Sequence, residues 1–177
     1  MTPEGYEIVE LTAAHAPAMA AAYSRNREHL APWDPRREVD FYTVEGQTTS
    51  VAGQLAAVRA GHMVAWVLEH DGEVVGRVNL NNVVLGALRS AAVGYWVDAE
   101  HQGRGLATSA VEFACARARE RGLHRVEAGT LLHNTASQRV LERCGFEPYG
   151  MAPKFLFIDG AWRDHRLFQR ILHDDPI

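Results

Sequence analysis

Two segments combine residue types and spacing that could do chemistry: Gln102-Gly103-Arg104-Gly105-Leu106-Ala107 and, further along, Asn134-Thr-Ala-Ser137. The first follows an apolar, aromatic run, Val93-Gly-Tyr-Trp-Val97, and opens into an Ala-rich stretch. A strand passing through a Gly-rich turn into a helix leaves several backbone N–H groups unpaired and pointing one way. With the positive end of the helix dipole they bind anions. Glycine suits such a turn because a Cβ would hold a phosphate away from the backbone. The chemistry expected is binding of a ligand that contains a diphosphate.

Spacing narrows the choice of diphosphate. A P-loop requires Gly-Lys-Ser/Thr, and no Lys follows Gly105. A dinucleotide fingerprint would have to run Gly103-x-Gly105-x-x-Thr108, with Glu127 as the ribose-binding acid. Its first Gly stands too far from the strand, and Thr108 occupies the place of the third Gly, so the fit is poor.

The pattern Gln/Arg-x-x-Gly-x-Gly/Ala is satisfied by Gln102, Gly105 and Ala107. It resembles the pyrophosphate loop of the Gcn5-related N-acetyltransferases (GNAT), which bind acetyl-coenzyme A. Asn134-Thr-Ala-Ser137, followed by a short helical stretch and Gly145-Phe146, resembles the second coenzyme A element of that superfamily. A structural role for the same residues is compatible with this, because Asn134 is a good N-cap and Gly145 a good C-cap. Asn26-Arg-Glu-His-Leu-Ala-Pro-Trp33, Asn82-Val-Val-Leu-Gly86 and Phe157-Ile-Asp-Gly-Ala-Trp-Arg-Asp-His165 narrow the resemblance to the RimJ/RimL-type ribosomal-protein-alanine N-acetyltransferases. It runs from about Glu7 to Ile171, nearly the whole chain.

The resemblance implies an acetyl-CoA-dependent N-acetyltransferase with no metal, in which an amine attacks the thioester directly. Backbone amides of Gly103, Arg104, Gly105, Leu106, Ala107 and Thr108, beside Gln102, would hold the pyrophosphate, and Asn134 the pantetheine. A main-chain N–H near Val97 would meet the oxyanion. Ser137 matches the proposed proton donor to the departing thiolate, although Ser is also common in the first turn of a helix. The proton acceptor is less determined. Some RimL-type enzymes carry a Glu on the penultimate strand, where this chain has Leu156. Glu127 and His133 remain as candidates, each with a plain alternative: a salt-bridged strand residue and a loop residue beside a cap. Tyr23, Asn26, His29, Trp33 and Tyr42 would line the acceptor groove, Trp33 foremost because prolines flank it.

An α-amine, with a pKa near 7.7–8.0, is roughly a quarter neutral at pH 7.4, whereas a lysine side chain is about 0.1% neutral. Lack of an evident strong base therefore favours a protein N-terminal α-amine over lysine. A small-amine acceptor (an antibiotic or a metabolite) and a non-catalytic acyl-CoA sensor are the competing readings.

These residues need a scaffold. Gly5–Leu11 reads as a strand, and Thr12 caps a helix to about Ser24. A Pro-containing loop follows, then a helix from Thr43 or Glu45 to Arg59. Met63–Glu69 and Glu73–Asn81 form a hairpin across His70-Asp-Gly72. Ala91–Val97 is a strand, Gly105–Arg121 a helix, His124–Leu132 a strand and Thr135–Arg143 a helix. Two strands turning at Asp159-Gly160 end the pattern. The expectation is an α/β fold, as in GNAT proteins: a mixed, mostly antiparallel sheet of about seven strands with about four helices. Within it, the strand of Tyr95–Val97 is expected to splay from that of Glu127–Leu131.

At 177 residues one domain, 1–177, is expected. A formal net charge of −4 offers no general attraction to nucleic acid. No apolar run approaches a membrane span, and Met1-Thr-Pro-Glu-Gly5 carries no leader signature, so a cytoplasmic setting is expected. The two cysteines, Cys115 and Cys144, read as buried thiols rather than a bridge. A homodimer is compatible with the family.

Overall fold

Seven strands, β1 (Tyr6–Glu10), β2 (Met63–His70), β3 (Glu73–Val84), β4 (Ser90–Val97), β5 (Arg125–Leu131), β6 (Glu147–Ile158) and β7 (Ala161–Ile171), form one sheet. Its order is β1-β2-β3-β4-β5-β7-β6. The structure is a computed structural model and describes residues 2–176. Five helices flank the sheet: α1 (Ala16–Arg25), α2 (Arg27–Leu30), α3 (Val44–Arg59), α4 (Leu106–Glu120) and α5 (Thr135–Arg143).

Local chemistry explains the elements. Both two-residue hairpins turn on Asp-Gly pairs, Asp71-Gly72 and Asp159-Gly160, whose four φ angles are all positive. That is the backbone a tight hairpin turn demands, and Asp and Gly tolerate it best. Thr43 caps α3 by accepting from Gly46 N at 3.0 Å. Alternation along β2 sends Val64, Trp66 and Leu68 to one face, against Ala110, Val111 and Ala114 of α4. It sends Ala65 and Val67 to the other, against Met19 of α1 and Val51 of α3. Alanines on α4 let that helix lie close to the sheet. Cys115 and Cys144 are free and buried, and burial pushes their thiols up to about 11 and about 12, which keeps them inert.

The segment after α1 departs from the expected loop. It contains α2, a helix of four residues, and a 3-10 turn at Val39–Tyr42. One helical turn shows no hydrophobic repeat in sequence, so nothing there could announce it. β3 also runs past Asn81 to Val84 through a register irregularity, with Asn82 at φ 50°.

One junction matters most for function. β4 and β5 are parallel and pair only at Ser90↔Arg125, Ala91↔Val126 and Ala92↔Glu127. Beyond that rung β4 stays with β3 as far as Val97, while β5 stays with β7 as far as Leu131. The sheet therefore opens like a V between residues 93–97 and 128–131. Glu127 sits in the last closed rung, one residue short of where the splay begins.

Candidate functional site

The opened V widens into a cleft of about 790 Å³, walled by β4 and β5 and closed at its ends by the starts of α4 and α5. Strand alternation orients the β4 wall. Asp98 N donates to Val75 O of β3 at 2.8 Å, so the N–H of Val97, one residue earlier, points away from β3 and into the gap.

At one end of the cleft, Gly103 and Gly105 adopt φ of 73° and 81°, the left-handed region that favours glycine. Gly105 precedes Leu106, where α4 begins, and the first intrahelical bond runs from Ser109 N to Gly105 O at 2.9 Å. The amides of Leu106, Ala107 and Thr108 thus have no helical partner. Gln102, Gly103, Gly105, Leu106, Ala107 and Thr108 all line the cleft. Arg104 is arranged differently. Its guanidinium folds back to Tyr6 Oη at 2.8 Å and Glu100 O at 3.3 Å, so this side chain braces the loop against β1 instead of reaching into the cleft.

The loop is anchored from below. Asp98, 1% exposed, accepts from Arg25 Nε at 2.8 Å, Asn26 Nδ2 at 2.7 Å and the Glu100 amide at 3.0 Å. Burial alone would raise its pKa, but those hydrogen bonds outweigh it and hold the carboxyl below the usual carboxylate range. Asn26 Oδ1 accepts from Ala99 N at 2.9 Å. Asn26 is fully buried and does not face the groove, which corrects the expectation that it touches the acceptor: its carboxamide ties α1 to the loop.

At the other end, Asn134 caps α5 by accepting from Ser137 N at 3.1 Å. Its Nδ2 has no protein partner among the described residues. Ser137 Oγ lies 2.8 Å from Tyr95 Oη, so two hydroxyls meet across the gap from α5 to β4. Burial pushes the Tyr95 phenol up to about 12, against the opposing hydrogen bond from Ser137, and it stays protonated as a donor. Tyr95 was no candidate from sequence, where it read only as part of a strand.

Glu127 is withdrawn from the cleft. Its carboxylate pairs with Arg125 two residues away and accepts from Tyr149 Oη at 2.8 Å. That is the salt-bridged strand residue of the plainer reading. His133 is exposed, its ring 5.4 Å from that of Trp33, and it does not line the cleft. Leu156 does line it.

Trp33 and His29 line the cleft too, and Gln102 Nε2 donates to His29 Nε2 at 2.9 Å, linking α2 to the Gly-rich loop. A second cavity of about 410 Å³ adjoins, walled by Tyr23, Arg27, Arg37, Phe41 and Tyr42. Leu30, Asp34 and Pro35 border both spaces. Tyr23 is a buried wall whose hydroxyl accepts from Arg77 Nη1 at 3.0 Å and Trp96 Nε1 at 3.1 Å, with its ring packed against Phe41 and Trp96. Asp34 is held above the usual carboxylate range by burial, with Arg37 and Arg77 opposing.

Comparison with known proteins agrees with this architecture. A family described as an acetyltransferase (GNAT) domain matches residues 7–147. The probable N-acetyltransferase YjcK of Bacillus subtilis is 36% identical over 156 residues, covering 86% of each chain. Among solved structures, the ribosomal-protein-S5-alanine acetyltransferase of Vibrio fischeri superposes with a TM-score of 0.93 at 31% identity, over 99% of this chain and 98% of the other. RimJ of Mycobacterium smegmatis, in complex with CoA-disulfide, gives 0.89 at 35% identity over 94% and 81%.

Proposed function

Because the chain belongs to the acetyltransferase (GNAT) domain family, we propose that it moves an acetyl group from acetyl-CoA to the α-amine of a protein N-terminus, with a ribosomal protein as acceptor. The observation that carries this reading is the V between β4 and β5. A glycine turn with partnerless amides lies at one end of it, and the Ser137–Tyr95 hydroxyl pair spans it.

The cleft's own chemistry fits the donor. Amides of Gly103 and Leu106–Thr108 would take the pyrophosphate at the start of α4, where the helix dipole favours anions. The unpaired edges of β4 and β5, with the free Nδ2 of Asn134, offer donors and acceptors to the pantetheine amides. Holding donor and acceptor together supplies up to about 7–11 kcal/mol in model reactions. The N–H of Val97 faces the gap and would stabilise the negative oxygen formed as nitrogen attacks. Ser137 and Tyr95 would then supply a proton to the departing sulfur.

The acceptor assignment is supported by the Vibrio fischeri relative, which is a ribosomal-protein-S5-alanine acetyltransferase. A ribosomal acceptor would place the protein in the cytoplasm. The test is release of CoA from acetyl-CoA at pH 7.4, using Lys-containing peptides with free or blocked Ala and Ser N-termini, beside polyamines and aminoglycosides. Turnover confined to free N-termini supports the proposal. Turnover of blocked peptides, or of the small amines alone, refutes it. Tight acetyl-CoA binding without any turnover would point to a sensor.

A further inference from the structure

A buried imidazole, His165 of β7, stands in the cleft with no role in the chemistry so far described. It is 4% exposed and lies opposite Leu131 of the β5 wall, in the cleft shared with Trp33 and Ser137. We propose that His165 takes the proton from the acceptor amine, an assignment that rests on the α-amine reading above.

Three features carry it. First, His165 Nδ1 donates to Arg163 O at 3.2 Å, which fixes the tautomer and leaves Nε2 as the acceptor. The structure gives Nε2 no protein partner among the described residues. Second, the neighbouring wall position is Gly129. A Cβ there would be in ordinary contact with His165 Cδ2, the carbon bonded to Nε2, at 3.7 Å, and with Leu167 and Phe155, so glycine keeps a β5 side chain off this edge of the ring. Third, Phe155 lies against the ring at 5.3 Å between centroids and limits its reorientation. Imidazole is the side chain that exchanges protons around neutral pH, and it suits an amine that is only partly protonated there. Glu127 is engaged by Arg125 and Tyr149, and His133 lies outside the cleft, so neither competes for the role.

The step balances. Nε2 takes one proton from the ammonium, and the neutral nitrogen forms the C–N bond to the acetyl carbon. The C–S bond breaks, and the thiolate takes a proton from the Ser137–Tyr95 pair, which is refilled from solvent. The nitrogen's second proton and the imidazolium proton leave to solvent.

The test compares His165→Asn and His165→Gln with the parent on two acceptors. One is a peptide with a free N-terminal Ala. The other is the same peptide carrying an aminooxyacetyl group, whose nitrogen is already neutral at pH 7.4. Asn can still donate to the Arg163 carbonyl, so a merely structural His165 would be replaced by it. Acetyl-CoA binding by calorimetry shows that each variant is folded. With binding retained, kcat/KM on the Ala peptide should fall about fourfold at pH 7.4, where roughly a quarter of the amine is already neutral, and about 20-fold at pH 6.5, while the aminooxy peptide loses less than about twofold at either pH. Equal losses on both acceptors, or full activity in the Asn variant, overturn the assignment. If the parent turns over neither peptide, the α-amine reading falls and this one with it.

Discussion

Tyr95 Oη and Ser137 Oγ lie 2.8 Å apart, joining the β4 wall to the first turn of α5 across the splay. Neither hydroxyl is a strong acid, and Tyr95 is made weaker still by burial, at about 12. In the proposed reaction they pass a proton as a pair, so removing both should cost little more than removing one. We expect Tyr95→Phe and Ser137→Ala each to lower kcat about 10-fold or more with KM for acetyl-CoA little changed. The coupling should fall within the ~0.5–3 kcal/mol found for residues in one network. Single-turnover rates of the four proteins complete the cycle, and strict additivity would separate the two roles.

Gly105 sits at φ 81°, which Pro cannot reach and Ala reaches at a cost of about 1–2 kcal/mol. Gly105→Pro should abolish acetyl-CoA binding, and Gly105→Ala should weaken it about 10-fold and lower Tm by about 2–8 °C. Calorimetric titration with CoA reads both. Normal binding by the Pro variant would remove the pyrophosphate from this loop.

Asp98 is a carboxyl whose folded pKa lies below its unfolded value, near 3.9. Its contribution to stability is therefore present above pH 3.9 and lost as pH falls through the folded value. Asp98→Asn should cost about 1.5–3 kcal/mol at pH 7, the range for hydrogen bonds to a charged group. The gap from the parent should close on acidification. Urea melts across pH check this, and a gap that widens at low pH would reverse the sign.

Asp34 behaves in the opposite sense. Its pKa is raised in the fold, so the stability linked to it is complete below about pH 3.9 and lost as pH rises through the folded value. Asp34→Asn should raise Tm at pH 7 only slightly, because the side chain is 39% exposed and solvent screens the effect, and should converge with the parent in acid. Because Asp34 borders both cavities, the same variant should raise KM for the acceptor peptide with KM for acetyl-CoA unaltered. A lowered Tm at pH 7 contradicts this account.

Much of this molecule was legible before any coordinates. A glycine turn running into a helix is a local pattern, so the turn from Gln102 to Thr108 was legible in sequence. The α5 cap followed from Asn134 and Ser137, three residues apart on one turn. Hairpins followed from their Asp-Gly pairs, and α4 from its alanine-rich run. Each of these depends on neighbours a few residues away.

What sequence could not decide depends on partners far along the chain. Asn26 looked like a groove residue until Asp98, 72 positions on, claimed it. Glu127 stood as one of two candidate bases, beside the plainer salt-bridged reading, until Tyr149, 22 positions on, was seen to hold its carboxylate. Tyr95 gained a role only because Ser137 faces it from 42 positions away. The amino-acid sequence by itself determined the family and the glycine turn proposed to hold the donor, because these rest on backbone geometry encoded within single turns. Only the tertiary structure decided which side chains reach the gap. That depends on where β4 and β5 part and on what packs behind each residue, and both are set by contacts between distant segments.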